Sequence, residues 1–182
     1  MINRKSFYDS IRPSPFGGTL TEKQVEGIDT ILNEWEAEKL TDLRYLAYML
    51  ATTYHETGHT MQPVAEYGKG KGHAYGVPDP DTGKTYYGRG FVQLTWKNNY
   101  LNMGKVTGED LVNNPDRAMD MKVATKILFY GMLHGSFTGK KLADYFNDLT
   151  TDWLKARKII NGLDRALLIQ GYAEKFFNAL KV

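Results

Sequence analysis

Leu43-Arg44-Tyr45-Leu46-Ala47-Tyr48-Met49-Leu50-Ala51-Thr52-Thr53-Tyr54-His55-Glu56 sets Leu43, Leu46, Ala47, Leu50 and Tyr54 at helical spacing. This apolar stripe begins after Thr41-Asp42 and predicts a buried helix with two ionisable residues, His55 and Glu56, at its C-terminal end. Upstream, Thr21-Glu22-Lys23-Gln24 has the form of a capping box, and Val25, Ile28, Leu32 and Trp35 follow with the same period. A helix over about 21–38 is expected there. Downstream, Asn114-Pro115 reads as a start signal for a helix to about 133 carrying Met119, Val123, Ile127 and Tyr130. Two more helices are expected, from about 151 to Asn161 with Gly162 as terminator, and from Asp164 to Leu180 along Leu167, Leu168, Tyr172, Phe176 and Leu180. No internal repeat and no alternating run long enough for a large sheet accompanies them, so the chain reads as mainly α.

Residues 58–90 differ in character. Eight glycines, at 58, 68, 70, 72, 76, 83, 88 and 90, alternate with aromatic and histidine residues, and Val77-Pro78-Asp79-Pro80-Asp81-Thr82-Gly83 is dense in turn formers. A loop of that length inside a compact domain is uncommon unless it serves a function such as lining a cleft. The adjoining stretch 86–100, YYGRGFVQLTWKNNY, combines aromatic faces with glycines and with amide, hydroxyl and basic side chains. That mixture suits a sugar, whose ring faces stack on aromatics while Gln93, Thr95, Asn98 and Asn99 meet its polar groups. A buried strand with its own turn fits the same composition.

The 182 residues fit one domain, or one domain with a small lobe. A hydrophobic fraction of 42% and a charged fraction of 24% place the chain among soluble globular proteins and exclude disorder. The absence of cysteine excludes disulfides, a thiol nucleophile and Cys-ligated zinc. Met1-Ile2-Asn3-Arg4-Lys5-Ser6-Phe7 leads into polar sequence rather than an apolar run, so neither a signal peptide nor a membrane span is expected, and synthesis and folding in the cytoplasm are. Residues 1–90 carry 10 Lys/Arg against 12 Asp/Glu, and residues 91–182 carry 13 against 9. This asymmetry is too small to argue nucleic-acid binding, though it is compatible with a polyanionic surface.

His55-Glu56-Thr57-Gly58-His59 admits two readings. It matches H-E-x-x-H, in which two histidines one helical turn apart ligate zinc and the Glu is a general base. The extended form of that motif fails because position 62 is Gln and position 65 is Ala, which leaves His73, His134 or a carboxylate as third ligand. In the other reading Glu56 is one of the two carboxyl groups that glycoside hydrolysis without a cofactor requires, with Glu66 as its partner. An unbroken helix would separate the two by about 15 Å, beyond the roughly 6.5–9.5 Å of an inverting pair, so the chain must turn back, with Gly58 and Pro63 as the residues that permit it. A carboxyl half-buried at the end of an apolar helix suits a proton donor, and one in a wetter, Gly-rich loop suits a base.

Taken together, HETG at 55–58, YYGRG at 86–90, QLT at 93–95 and Ile159-Ile160-Asn161-Gly162 resemble family 19 glycoside hydrolases, the plant-type chitinases with their phage and bacterial lysin relatives. The resemblance covers roughly residues 42–165 and displaces the zinc reading. It implies a lysozyme-like, bilobal helical fold with a Gly-rich loop or small β lobe lining the cleft. It also implies an inverting, cofactor-free and metal-free mechanism on N-acetylated β-1,4-linked sugars. Glu56 then stands for the general acid, Glu66 for the base and Thr95 for a residue holding the attacking water. His55, Tyr87, Arg89, Gln93, Trp96, Asn99 and Asn161 are expected on the substrate side. A much shorter interval between the glutamates than in the plant enzymes, and the missing cysteines, look more like phage and prophage endolysins.

The endolysin reading makes the substrate the peptidoglycan bond between N-acetylmuramic acid and N-acetylglucosamine, with chitin as the alternative. It implies a monomeric catalytic domain over residues 1–182, with the cleft-forming loop at about 58–95 and no separate binding domain. Such a protein is made in a host cytoplasm and reaches the wall after release by a holin-type partner. Lys175 and Lys181 among Leu167, Leu168, Phe176 and Phe177 raise a weak membrane contact by the last helix, although such a stripe is more often core.

Overall fold

A computed structural model describes residues 1–182. The helix that ends at Glu56 is its centre. It spans Leu43–Glu56 (α3, after α1, Arg4–Ile11, and α2, Glu22–Ala37) and starts where the Asp42 side chain accepts the Arg44 N–H. Every residue from Leu46 to Tyr54 is buried, so α3 is enclosed on all sides rather than along one stripe. Its most extensive contact is with the last helix, Ala166–Leu180, and it also meets α2. α2 carries the expected capping box: the Thr21 side chain accepts the Gln24 N–H, and the Gln24 side chain accepts the Thr21 N–H. α1 was not signalled in the sequence. It is capped by Asn3 and tied to α2 by Arg4, which donates to Asp29 and Glu36.

Three expected helices differ in the structure. Asn114-Pro115 begins only a 3₁₀ turn, Pro115–Met119, and the chain then becomes extended at Asp120 (ψ 132°). The Asp120 carboxylate accepts the Lys122 and Val123 N–H groups and so caps the helix proper, Met121–His134, which is α5; α4 is Lys97–Thr107. The expected helix at 151–161 is reduced to a 3₁₀ turn, Lys155–Ile159. The last helix (α6) begins at Ala166 and buries Ala166, Ile169, Ala173, Phe176, Ala179 and Leu180, leaving Leu167 and Leu168 exposed. The buried side mixes three alanines with Ile169, Phe176 and Leu180, and Phe176 meets Tyr54 of α3 with ring centroids 6.1 Å apart. The apolar residues around Lys175 and Lys181 therefore do not share one face: Phe176 is core, Leu167 is outside, and the Lys181 ammonium lies 4.4 Å from the Phe177 ring. No helix is long and apolar enough to cross a membrane.

The Gly-rich stretch is a long loop carrying one small ribbon. Val64–Ala65 (β1) pairs antiparallel with Arg89–Gly90 (β2), Val64 opposite Gly90 and Ala65 opposite Arg89. The stretch 86–100 is not a strand beyond those two residues. It crosses a turn into α4, an element the sequence did not signal.

Candidate active site

Glu56 is the last residue of α3, where the helix leaves the core, and its side chain is 16% exposed. Its Oε1 accepts a hydrogen bond of 2.7 Å from Nη1 of Arg157, whose side chain is only 3% exposed. Arg157 Nε donates to the Asp164 carbonyl at 2.9 Å, so one guanidinium ties the 3₁₀ turn Lys155–Ile159 and the chain before α6 to Glu56. Glu56 is therefore not an isolated half-buried carboxyl. Next to it, burial pushes the His55 imidazole below its ordinary value; Glu56 pulls in the opposite direction, and Arg157 and His59 add to the lowering.

After Glu56 the chain turns back on α3, the His59 N–H donating to the Tyr54 carbonyl at 2.8 Å. Gly58 (φ 57°) does so as expected, but His59 (φ 71°) and Met61 (φ 54°) share the left-handed conformation, which side chains seldom adopt. The strain is held by neighbours. Thr57 Oγ1 accepts the Met61 N–H, Gln24 Nε2 donates to the His59 carbonyl, and Gly27 of α2 lets the Met61 carbonyl come so near that a Cβ there would lie 1.7 Å from its oxygen. The His59 ring stacks flat on Tyr54, with centroids 4.1 Å apart. The zinc reading fails on this geometry, because α3 ends at Glu56 and His59 is not on the same helical face as His55.

The turn delivers Glu66 just after β1. Its N–H donates to the Gly88 carbonyl at 2.7 Å, and the Gly88 N–H returns a 3.1 Å bond to Glu66 Oε2. The other oxygen, Oε1, accepts the Tyr75 hydroxyl at 3.0 Å. Gln93, in the left-handed region (φ 56°), packs on Gly88 and donates from Nε2 to the Val64 carbonyl. Thr95 Oγ1 donates to the Gln93 carbonyl at 2.8 Å, and Asn99 Nδ2 donates to the Thr95 carbonyl at 2.8 Å. Trp96, half exposed and also at positive φ (77°), starts α4 and meets the Tyr75 ring edge-on. Glu66, Gln93, Thr95, Trp96 and Asn99 thus form one connected group.

Other expected residues lie elsewhere. Asn161 is exposed beyond the Arg157 turn, and its backbone N–H donates to the Arg157 carbonyl. Tyr87 and Arg89 are buried, and neither side chain hydrogen-bonds to Glu56 or Glu66. The Arg89 guanidinium lies 3.6 Å from the Tyr87 ring centroid and donates to Asp116, to the Thr85 and Tyr87 carbonyls and to the Tyr100 hydroxyl. Both border a surface hollow with Lys84, Asn113 and Arg117 that contains neither glutamate. Arg157 and Tyr75, which do touch the glutamates, were not singled out from sequence. Arg157 sits in Lys155-Ala156-Arg157-Lys158 and looks like one more surface cation, and Tyr75 is one of several aromatics in a Gly-rich loop.

The body is chiefly helical, with one carboxylate at a buried helix end and another just after the short strand β1, beside an aromatic, amide-rich segment. The family model described as chitinase class I matches residues 36–136, more than half of the chain, and the chain belongs to family 19 of the glycoside hydrolases. The match includes both glutamates and the 86–100 segment and stops short of Arg157 and Asn161. A bacterial family 19 chitinase of known structure is 25% identical with a TM-score of 0.62, the alignment covering 100% of this chain and 95% of that one. Chitinase C from Streptomyces griseus HUT6037 shares the fold with a TM-score of 0.66 at 20% identity, over 100% of this chain and 77% of that one. Among sequence relatives, the basic endochitinase of Vitis vinifera is 38% identical over 105 residues, 50% of this chain and 33% of that protein. Chitinase 3 of Oryza sativa subsp. japonica is 38% identical over 103 residues, 48% and 32% respectively. The chain thus spans about a third of the length of these relatives.

Proposed function

We propose that this protein is an inverting glycoside hydrolase that cleaves β-1,4 bonds in N-acetylglucosamine-containing glycans, with chitin-type polymers as the substrate class its relatives favour. The observation that supports the reading is that both carboxyl groups are held by fixed donors, Glu56 by Arg157 at the end of a buried helix and Glu66 by Tyr75 and the Gly88 N–H. Glu56 gives its proton to the glycosidic oxygen as the bond from the anomeric carbon to that oxygen breaks, and Arg157 stabilises the carboxylate left behind. Glu66 takes a proton from the water that attacks the anomeric carbon from the opposite face, which inverts the configuration. Thr95 has committed its only hydroxyl proton to the Gln93 carbonyl, so toward a water or sugar it acts as an acceptor. Asn99 has likewise committed one amide proton and keeps its side-chain oxygen for a sugar N–H or O–H.

Peptidoglycan, cut between N-acetylmuramic acid and N-acetylglucosamine, offers the same bond type and is the competing substrate. Mass spectrometry of products from chitin oligosaccharides and from purified peptidoglycan, each with and without chelator, separates the two. Chitin oligosaccharides are expected to be cut, with activity undiminished by chelator. Glu56→Gln is expected to abolish turnover with the fold intact, and Glu66→Gln to slow it by at least about 100-fold. A folded Glu56→Gln protein that still hydrolyses either polymer at a substantial rate refutes the assignment, and chelator sensitivity would reopen metal chemistry.

A further inference from the structure

We infer that Tyr75 is a positioning residue for Glu66, its phenol holding one carboxylate oxygen while the Gly88 N–H holds the other; this rests on Glu66 being the base of the proposed reaction. A free glutamate side chain rotates about three torsions, whereas a base must stay within about 0.5 Å of its working geometry. Here both ends of the carboxylate are fixed, by O–H···O at 3.0 Å and N–H···O at 3.1 Å, and the residue's own N–H is fixed to the Gly88 carbonyl. A carboxylate has about four lone-pair sites, so two donors still leave room for a water.

The loop around Tyr75 is shaped to present the phenol. Tyr75 stands in the 3₁₀ turn Ala74–Gly76, and its carbonyl accepts the Tyr86 N–H at 3.1 Å, which ties the turn to the strand side of the loop. Gly70 and Gly76 lie back to back: a Cβ on Gly76 would stand 1.9 Å from the Gly70 oxygen, and one on Gly70 would stand 2.7 Å from the Gly76 Cα. Neither position accepts a side chain without opening the loop. The ring is clamped between His73, stacked at 4.9 Å and 6°, and the edge contact with Trp96 at 5.2 Å and 82°. Burial, and then the bond and charge of Glu66, raise the Tyr75 hydroxyl above its ordinary ionisation range, so it remains a donor at neutral pH.

Tyr75→Phe keeps the ring against His73 and Trp96 and removes only the hydroxyl. On chitin oligosaccharides it is expected to lower kcat by about 10–100-fold, to leave KM within about twofold, and to move the acidic limb of the kcat–pH profile upward, with the melting temperature little changed. Gly76→Ala, which displaces the turn with the hydroxyl still present, is expected to reproduce the kcat loss. A raised KM with unchanged kcat in Tyr75→Phe would make Tyr75 a direct sugar contact instead, and a folded Gly76→Ala enzyme of normal kcat would also overturn the inference. Glu66→Gln in the same assay separates the levels. If it is inactive while Tyr75→Phe is normal, only the positioning role falls; if it is active, the base assignment falls and the positioning role with it.

Discussion

Replacing Arg157 with methionine removes the cation that meets Glu56 while keeping most of the side chain's apolar volume, so the cavity contribution is small. The lost bonds set the magnitude. The charge-assisted bond to Glu56 at 2.7 Å contributes about 1.5–3 kcal/mol and the bond to the Asp164 carbonyl about 1 kcal/mol. Breaking a fully buried pair costs about 3–5 kcal/mol, but Glu56 keeps 16% exposure, so water solvates part of the released carboxylate. The expected destabilisation of Arg157→Met is therefore about 2–4 kcal/mol, or roughly 4–16 °C in Tm for a domain of this size. Glu56→Ala strands the guanidinium, which is the more buried partner, and is expected to cost at least as much. Urea unfolding at pH 7 of both single variants and of the double variant closes a cycle, with an expected coupling of about 1.5–3 kcal/mol. Raising the salt from 0.1 to 0.5 M should change it little, because a pair this buried is poorly screened. A coupling below about 0.5 kcal/mol would refute the view that this pair fixes the end of α3.

Gly27→Ala ordinarily stabilises a helix by about 1 kcal/mol, but here the added Cβ meets the Met61 carbonyl, a backbone atom held by the turn after Glu56. We expect a loss of about 2–4 kcal/mol by urea denaturation together with lowered activity, and a neutral or stabilising result would disprove the close-approach argument. His55 governs a pH window. Its folded value lies below 6.5, so between that value and about 6.5 the unfolded chain binds the proton more readily, and stability falls as pH drops through the window. Denaturation midpoints at pH 7.5 and 5.5 should fall less in His55→Gln than in the wild type; equal slopes would show that another group is responsible. Asp42 and Asp152, held low in the folded state, lose their contribution only in the carboxylate range further down, so they do not blur the comparison.

The amino-acid sequence alone determined what local periodicity and local chemistry encode. The stripe from Leu43 to Tyr54 marked α3, Thr21 and Gln24 marked the start of α2, and the glycines between 58 and 90 marked a loop. HETG, YYGRG and QLT pointed to the family, because those residues sit where backbone turns and side-chain chemistry are fixed over a few positions. Non-local decisions escaped it. Pro115 was a sound start signal, but Asp120 capped the helix, since an extended residue and two accepted N–H bonds outweigh a proline's fixed φ. Leu167 and Leu168 fit the helical stripe, but packing against the rest of the fold buried Ala166, Ile169 and Ala173 beside Phe176 and Leu180 instead. The clearest case is at the two glutamates. Arg157 reaches Glu56 across 101 residues, and Tyr75 reaches Glu66 through a loop closed by Gly70 and Gly76. Neither partner differs in composition from its neighbours along the chain, and a hydrogen bond between distant residues leaves no periodic trace. The sequence therefore offered both carboxylates as candidates, and only the tertiary structure decided what holds each of them.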